Sequence, residues 1–202
     1  MTDDVRFDEA SHTYTVNGVR YTAVSDPLAM LHDFSRVPRD VLERKRQIGR
    51  ATHKCIELDE AGELDADTID PAVAPYFESW HRFKAAKPLR VIASERIVYS
   101  HKHRVAGRLD LNAEFFDTPD VYWQIDAKCV DQMNPVTALQ TACYLELWNE
   151  RETPRLTRRA GLQLQPDGSM AKLYPYKDRN DFNYYLNLLN AYRWAKNQGL
   201  FK

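Results

Sequence analysis

Trp123-Gln124-Ile125-Asp126-Ala127-Lys128 alternates as a strand does: Trp123, Ile125 and Ala127 take one face, and Gln124, Asp126 and Lys128 take the other. An acid and a base therefore stand side by side. The segment before it alternates too, with Val105, Gly107, Leu109 and Leu111 on one side and Arg108, Asp110 and Asn112 on the other. Pairing of the two as a hairpin around residues 116–120 would bring Asp110 and Asp126 together beside Lys128.

Working outward, residues 91–99 form a strand by their β-branched content, and Glu95 is expected to share a face with Val91, Ala93, Ile97 and Tyr99. A carboxylate in a buried apolar row needs a partner or a metal. Asn134-Pro135 is a good N-cap and N1 pair for a helix reaching about residue 148. Its stripe Val136, Leu139, Cys143 and Leu147 faces the core, and Gln140 and Tyr144 lie four apart beside it. Upstream, Pro38 opens a long helix with Val41, Ile48, Ala51 and Cys55 as its apolar stripe, and Gly49, His53 and Glu57 lie four apart on the neighbouring one. A mid-helix glycine costs about 1 kcal/mol relative to alanine. Gly49 is therefore expected where another backbone or a ligand approaches closely, with His53 one turn beyond that gap.

The remaining segments frame these elements. Residues 12–16 and 19–24 form a hairpin through Asn17-Gly18. A short helix follows Pro27, an acidic connection spans 60–70, and a helix over 73–86 carries Trp80 and Phe83 into the core. Residues 100–103 make a turn, with His101 and His103 solvated. Strands at 160–165 and 170–176 flank the turn 166–169, and a closing helix over 178–197 buries Phe182, Leu186, Leu189 and Tyr192 before Gly199 stops it. The reading is one α/β domain, a central mixed β-sheet flanked by helices, with an N-terminal β-hairpin.

A chain of 202 residues that is 44% hydrophobic has room for one domain with a real core and not for two large ones. The first residues are acidic with no apolar stretch, and no run approaches the roughly 18 apolar residues of a membrane span. A cytoplasmic protein with no membrane partner is expected. Cys55, Cys129 and Cys143 are scattered, which argues against a disulfide framework, a zinc knuckle or an iron–sulfur cluster. Net charge is −1, but its distribution is uneven. Seven Lys/Arg lie between Arg36 and Lys54 against Asp40 and Glu43, and Arg151, Arg155, Arg158 and Arg159 form a second cluster. Either cluster can be a solvated face or a track for a nucleic-acid backbone.

Phosphodiester hydrolysis requires charge neutralisation at the phosphate and an activated water held in line. Mg²⁺ bound by a few carboxylates supplies both. Asp110, Asp126 and Glu95 offer hard oxygen ligands, the Ala127 carbonyl is a natural further ligand, and Lys128, with its pKa lowered by partial burial near the metal, would orient or help deprotonate the attacking water and stabilise the developing negative charge.

Taken in order, Gly49-x-x-x-His53, Glu95, Gly107-x-x-Asp110, Asp126-x-Lys128 and Gln140-x-x-x-Tyr144 resemble the RecB-type branch of the PD-(D/E)XK nuclease superfamily. The resemblance implies a restriction-endonuclease-like core with Mg²⁺ or Mn²⁺ as cofactor and no iron–sulfur cluster. It makes His53, Asp110, Asp126 and the Ala127 carbonyl the metal site, Lys128 the catalytic lysine, and Gln140 and Tyr144 groups that contact DNA or brace the site; Arg46, Arg50 and Arg108 would join them against DNA. The hairpin and Thr22-Ala23-Val24-Ser25 look like the opening of phage and mitochondrial-type single-strand exonucleases, whose tetrapeptide is usually Pro-Ser-Val-Thr. Thr22 and Ala23 depart from it. The expected protein is a nuclease domain over 1–202, with a hairpin extension over 1–30 and a core over 38–202. It would degrade linear DNA in phage or bacterial recombination or repair, alongside a single-strand annealing or recombination protein. A structure-specific endonuclease and a non-catalytic DNA-binding module are the competing expectations.

Overall fold

Asn17 and Gly18, both with positive φ (51° and 77°), turn β2 (Thr13–Val16) back into β3 (Val19–Ala23) in the computed structural model, which describes residues 2–201. The expected hairpin is present, and a third strand, β1 (Val5–Asp8), extends it by pairing antiparallel with β2. Val5 and Phe7 alternate with Arg6 and Asp8, a strand signal only four residues long that lies outside the expected hairpin.

Val24 then leads into the short helix α1 (Ser25–Leu28), and Pro38 into α2 (Arg39–Ala61), which Gly62 closes in the left-handed conformation. The face α2 turns inward is not the expected stripe. Val41 is exposed, and Thr52 and Ile56 are its buried residues. Thr52 occupies a core position because its hydroxyl donates to the Ile48 carbonyl at 2.8 Å and so needs no water. Helix α3 (Ala74–Ala86) buries Trp80 and Phe83 as expected.

Strands β4 (Leu89–Ser100), β5 (Val105–Phe115) and β6 (Tyr122–Lys128) make the antiparallel meander. Helix α4 (Val136–Asn149) starts where the Asn134 carboxamide oxygen accepts the Val136 N–H at 2.9 Å. It crosses over to β7 (Arg158–Gln163), which lies parallel to β6, and β8 (Lys172–Pro175) adds antiparallel before α5 (Asp181–Asn197). The sheet has eight strands in the order β1-β2-β3-β5-β6-β7-β8, with β4 on the other edge of β5. This is an α/β architecture with a mixed sheet between helices. No helix among the described residues is long and apolar enough to cross a membrane.

Two apolar layers hold the sheet. Leu109, Cys143, Leu147, Trp148, Tyr185 and Leu189 pack on the α4–α5 side. Ile56, Trp80, Phe83, Leu111, Ile125, Ala127 and Leu162 pack on the α2–α3 side. Tyr185, rather than Phe182 or Leu186, is the fully buried aromatic of α5.

One edge of β5 forks, and the fork decides where chemistry can occur. β3 pairs with that edge at Val105 and Ala106, β6 from Leu111 to Glu114, and residues 107–110 between have no partner in either ladder. Tyr144 fills part of the opening. A Cβ on Gly107 would lie 2.8 Å from the Tyr144 ring and 2.9 Å from a Val24 methyl. Gly107→Ala is expected to destabilise the protein by about 1–3 kcal/mol through overpacking, lowering the melting temperature by several degrees in a thermal scan. An unchanged melting temperature would mean that Tyr144 does not pack there.

Candidate metal centre

Asp110 sits at the end of the fork, where β5 and β6 part, and its carboxylate replaces the missing ladder bond by accepting the Ala127 N–H at 2.9 Å. The carbonyl of the same residue is engaged by His53 Nε2 at 2.9 Å. A carbonyl can only accept, so Nε2 donates and Nδ1 is left to face the acids. It lies 3.4 Å from Glu95 Oε1 and 3.6 Å from Asp110 Oδ1. The backbone of Ala127 thus aligns α2 and β5 at one point.

Glu95 reaches the same point through two irregularities in β4. The register slips by one residue between Val91 and Ala93, and Glu95, at φ 49°, leaves the ladder together with Asp110 opposite it, between the pairs Ser94↔Leu111 and Arg96↔Leu109, so that Leu109 and Leu111, expected on one face of β5, pack on opposite sides of the sheet. A left-handed conformation costs a non-glycine residue about 1–2 kcal/mol and is retained here where a carboxylate is aimed. The single row expected for Glu95 does not exist. Val91 packs on the α2–α3 side, Ala93 and Val98 on the α4–α5 side, and Ile97 and Tyr99 against the hairpin, because a bulge reverses alternation.

Among the described residues, His53, Glu95 and Asp110 form a group whose ligand atoms all lie within 4.8 Å of one another. A cavity of ≈ 10 Å³, about the space of one water-sized sphere, lies against them and Ile56, Trp80 and Ala127. Asp126 is adjacent but outside the group. It is wholly buried, with Lys128 Nζ 2.6 Å from one carboxylate oxygen. That approach is an ion-pair contact not aligned as a hydrogen bond, and neither Asp126 oxygen has a hydrogen-bond donor among the described groups. Lys128 already supplies the cation that this buried carboxylate calls for. The donor set, one imidazole nitrogen with carboxylate oxygens, fits a divalent ion such as Mn²⁺ or Mg²⁺.

The electrostatics follow from this crowding. Burial and the charge of Asp110 push the Asp126 carboxyl up to about 7, with Lys128 opposing them. Burial alone would lower the His53 imidazolium, but Asp110 and Glu95 outweigh it and raise it to about 9. Burial also works against the Lys128 ammonium, yet Asp126 and Asp110 raise it above the ordinary lysine range. In the metal-free chain the two carboxylates beside it, Asp126 and Asp110, outweigh burial and favour the protonated lysine, the reverse of the lowering expected from partial burial near a metal.

The residues expected against DNA divide into three groups. Arg50, Arg108, Gln140 and Tyr144 line one cavity of ≈ 540 Å³ beside the metal group, together with Phe7, His12, Tyr14 and Ser25 of the hairpin and α1. Arg46 is exposed on α2 outside it. Arg159, expected to track the backbone, is buried. It donates to the Ala138 carbonyl at 2.7 Å and is ion-paired with Asp181, clamping β7 to α4 and α5. Arg151 is held by Asp3 at 2.8 Å, leaving Arg155 and Arg158 exposed from the second cluster. Among the described residues nothing outside the helix's own backbone lies within 4 Å of where a Gly49 Cβ would stand, so the expected close approach of another backbone is not seen there. A larger cavity, ≈ 800 Å³, lies at the opposite end of β6 and β7 around Trp123, Arg158, Tyr176 and Phe182. It contains none of the clustered acids.

No family model matches this chain, and no curated protein matches it. Among solved structures it is similar to "Crystal structure of SSO0001", at 13% identity over 85% of this chain and 74% of that one, with a TM-score of 0.39. A likeness of that size supports no inference about activity.

Proposed function

We propose that this chain is a restriction-endonuclease-like, divalent-metal-dependent deoxyribonuclease that degrades linear DNA from its ends. The observation that carries the reading is the meeting of His53, Glu95 and Asp110 around the Ala127 peptide, with the buried Asp126–Lys128 pair beside them. His53 Nδ1, Glu95 and Asp110 would hold the ion, with Asp126 as the further carboxylate. A divalent cation there supplies Lewis acidity and charge neutralisation for phosphoryl chemistry.

The chain's own groups do the rest. Lys128, held protonated, stabilises negative charge as it develops on the phosphate oxygens. The Ala127 carbonyl fixes the His53 tautomer, a positioning role rather than direct ligation. Arg50 and Arg108 draw the DNA backbone into the groove. The unit spans the whole chain, with the hairpin over 1–30 as an extension of the core over 38–202. It would act in the cytoplasm of a bacterium or an infected host, beside an annealing or recombination protein.

The test is degradation of end-labelled linear single- and double-stranded DNA beside a closed circular control, in Mg²⁺, Mn²⁺ or EDTA. Metal-dependent loss of linear DNA alone, at least ~10²-fold slower in Lys128→Ala, is the expected result. Cutting of circles would make the protein an endonuclease, and DNA binding without cleavage in any metal would make it a silent binding module. The open helix surface at Gly49 yields a separate expectation. Gly49→Ala should stabilise the free protein by about 0.4–1 kcal/mol while weakening DNA binding. Stabilisation with unchanged DNA affinity would remove the α2 surface from the DNA path.

A further inference from the structure

We propose that Arg108 and His12, backed by Phe7 and Tyr14, form a base-stacking platform that selects an unpaired nucleotide, and hence single-stranded DNA, at the metal centre. This deepens the nuclease reading and rests on it. Phe7 of β1 and Tyr14 of β2 stack at 4.5 Å between centroids with 28° between planes. On them lies the Arg108 guanidinium, its central carbon 4.9 Å from the Phe7 centroid. Tyr14 is buried, Phe7 half-buried, and the Arg108 side chain 40% exposed. The Arg108 charge therefore sits over an aromatic pair that rises from the hairpin core.

His12 stands edge-on to both rings, at 5.3 and 5.8 Å, and is exposed. It holds φ 48° in the turn between β1 and β2, where glycine or asparagine would be unstrained. Histidine is among the non-glycine residues that adopt this conformation most readily, and here it sets the ring in the cavity lining.

The location ties the platform to the chemistry. Arg108 Nη1 lies 4.0 Å from Glu95 Oε2, so one guanidinium separates the Phe7 ring from an expected metal ligand. Guanidinium planes and aromatic rings stack on bases whose faces are free. In a duplex those faces are already covered, so a base can occupy this platform only from a single strand or a frayed end. Glu9 is the acid in the cavity lining, beside Arg108, which faces Glu95, and Arg50, which is ion-paired with Glu43 at 2.9 Å.

Binding is measured by fluorescence anisotropy with labelled decathymidylate in Ca²⁺, against the same oligonucleotide carrying abasic residues and against a blunt duplex. Wild type should prefer the intact single strand over the abasic one by roughly 5- to 150-fold, the loss of a base–aromatic stack. Arg108→Lys keeps the charge and removes the plane, so it should lose most of that preference while keeping the salt dependence. His12→Ala should lose part of it, and Phe7→Leu, checked for an unchanged fold by circular dichroism, should lose it through Arg108. Equal binding of intact and abasic strands, full preference retained in Arg108→Lys, or equal competition by the duplex would each overturn the platform. Cleavage is scored separately in Mn²⁺. Base preference without cleavage upholds the platform and sinks the nuclease reading, and cleavage without base preference does the reverse.

Discussion

At pH 8 and without metal, Asp126→Asn is expected to melt above the wild type, and with Mn²⁺ it is expected to have lost at least ~10²-fold in cleavage rate. The stabilisation follows from the direction in which Asp126 titrates. Its carboxyl is held up to about 7 in the folded chain, against an ordinary value of 3.8. The folded state therefore binds a proton that the unfolded state has released between those values, and stability falls as pH rises from about 4 through 7. Above 7 the whole cost is present. Lys128 at 2.6 Å loses its counter-charge in the variant, which leaves an expected gain of about 1–2 kcal/mol, or about 2–8 °C in a chain of this size. Differential scanning calorimetry at pH 5 and pH 8 decides it. The difference between variant and wild type should be larger at pH 8, and a variant that melts lower at both would show Asp126 to be a structural partner of Lys128 instead. A site that destabilises its own fold to keep a carboxylate ionisable is a stability–function trade-off.

Much of this centre was legible because strand alternation and short hairpins are local. Trp123, Ile125 and Ala127 do face the α2–α3 side, and the 116–120 turn does set Asp110 near Asp126, since Leu111 pairs with Ile125. The Asn17-Gly18 turn and the Asn134 cap are two-residue signals, and both hold. Lost to the sequence was everything that breaks a period. Glu95 at φ 49° and the slip at Val91/Ala93 depend on β4 pairing across its whole length with β5, and no window of β4 alone encodes that. The fork at 107–110 depends on β3 and β6 sharing one edge of β5, a contact across about eighty residues of chain. Arg159 read as a surface charge because its partners, Asp181 and the Ala138 carbonyl, come from two helices it meets only in the fold. The hairpin aromatics were visible as a strand pattern, but their place beside the acids was not.

Metal affinity should depend on pH in two stages, and His53 sets the first. In the metal-free chain its imidazolium persists up to about 9, above the ordinary 6.5, so it contributes stability that is complete below 6.5 and lost as pH rises through 9. A metal at Nδ1 must displace that proton. Between pH 7 and 9 the dissociation constant for Mn²⁺ should fall about tenfold per pH unit, one proton released per ion. Below 7 Asp126 is also protonated, and the dependence should steepen toward two protons, giving a change of roughly 10³–10⁴-fold between pH 6 and 9. Saturating Mn²⁺ at about 100 times its dissociation constant should then stabilise the fold by about 2.7 kcal/mol, most visibly at the alkaline end where the metal-free chain is weakest. Isothermal titration in buffers of different ionisation enthalpy counts the protons directly. His53→Asn should bind Mn²⁺ more weakly yet with almost no pH dependence between 7 and 9. A wild type whose affinity is flat across that range would mean that His53 stays protonated beside the ion, and that the metal rests on carboxylates alone.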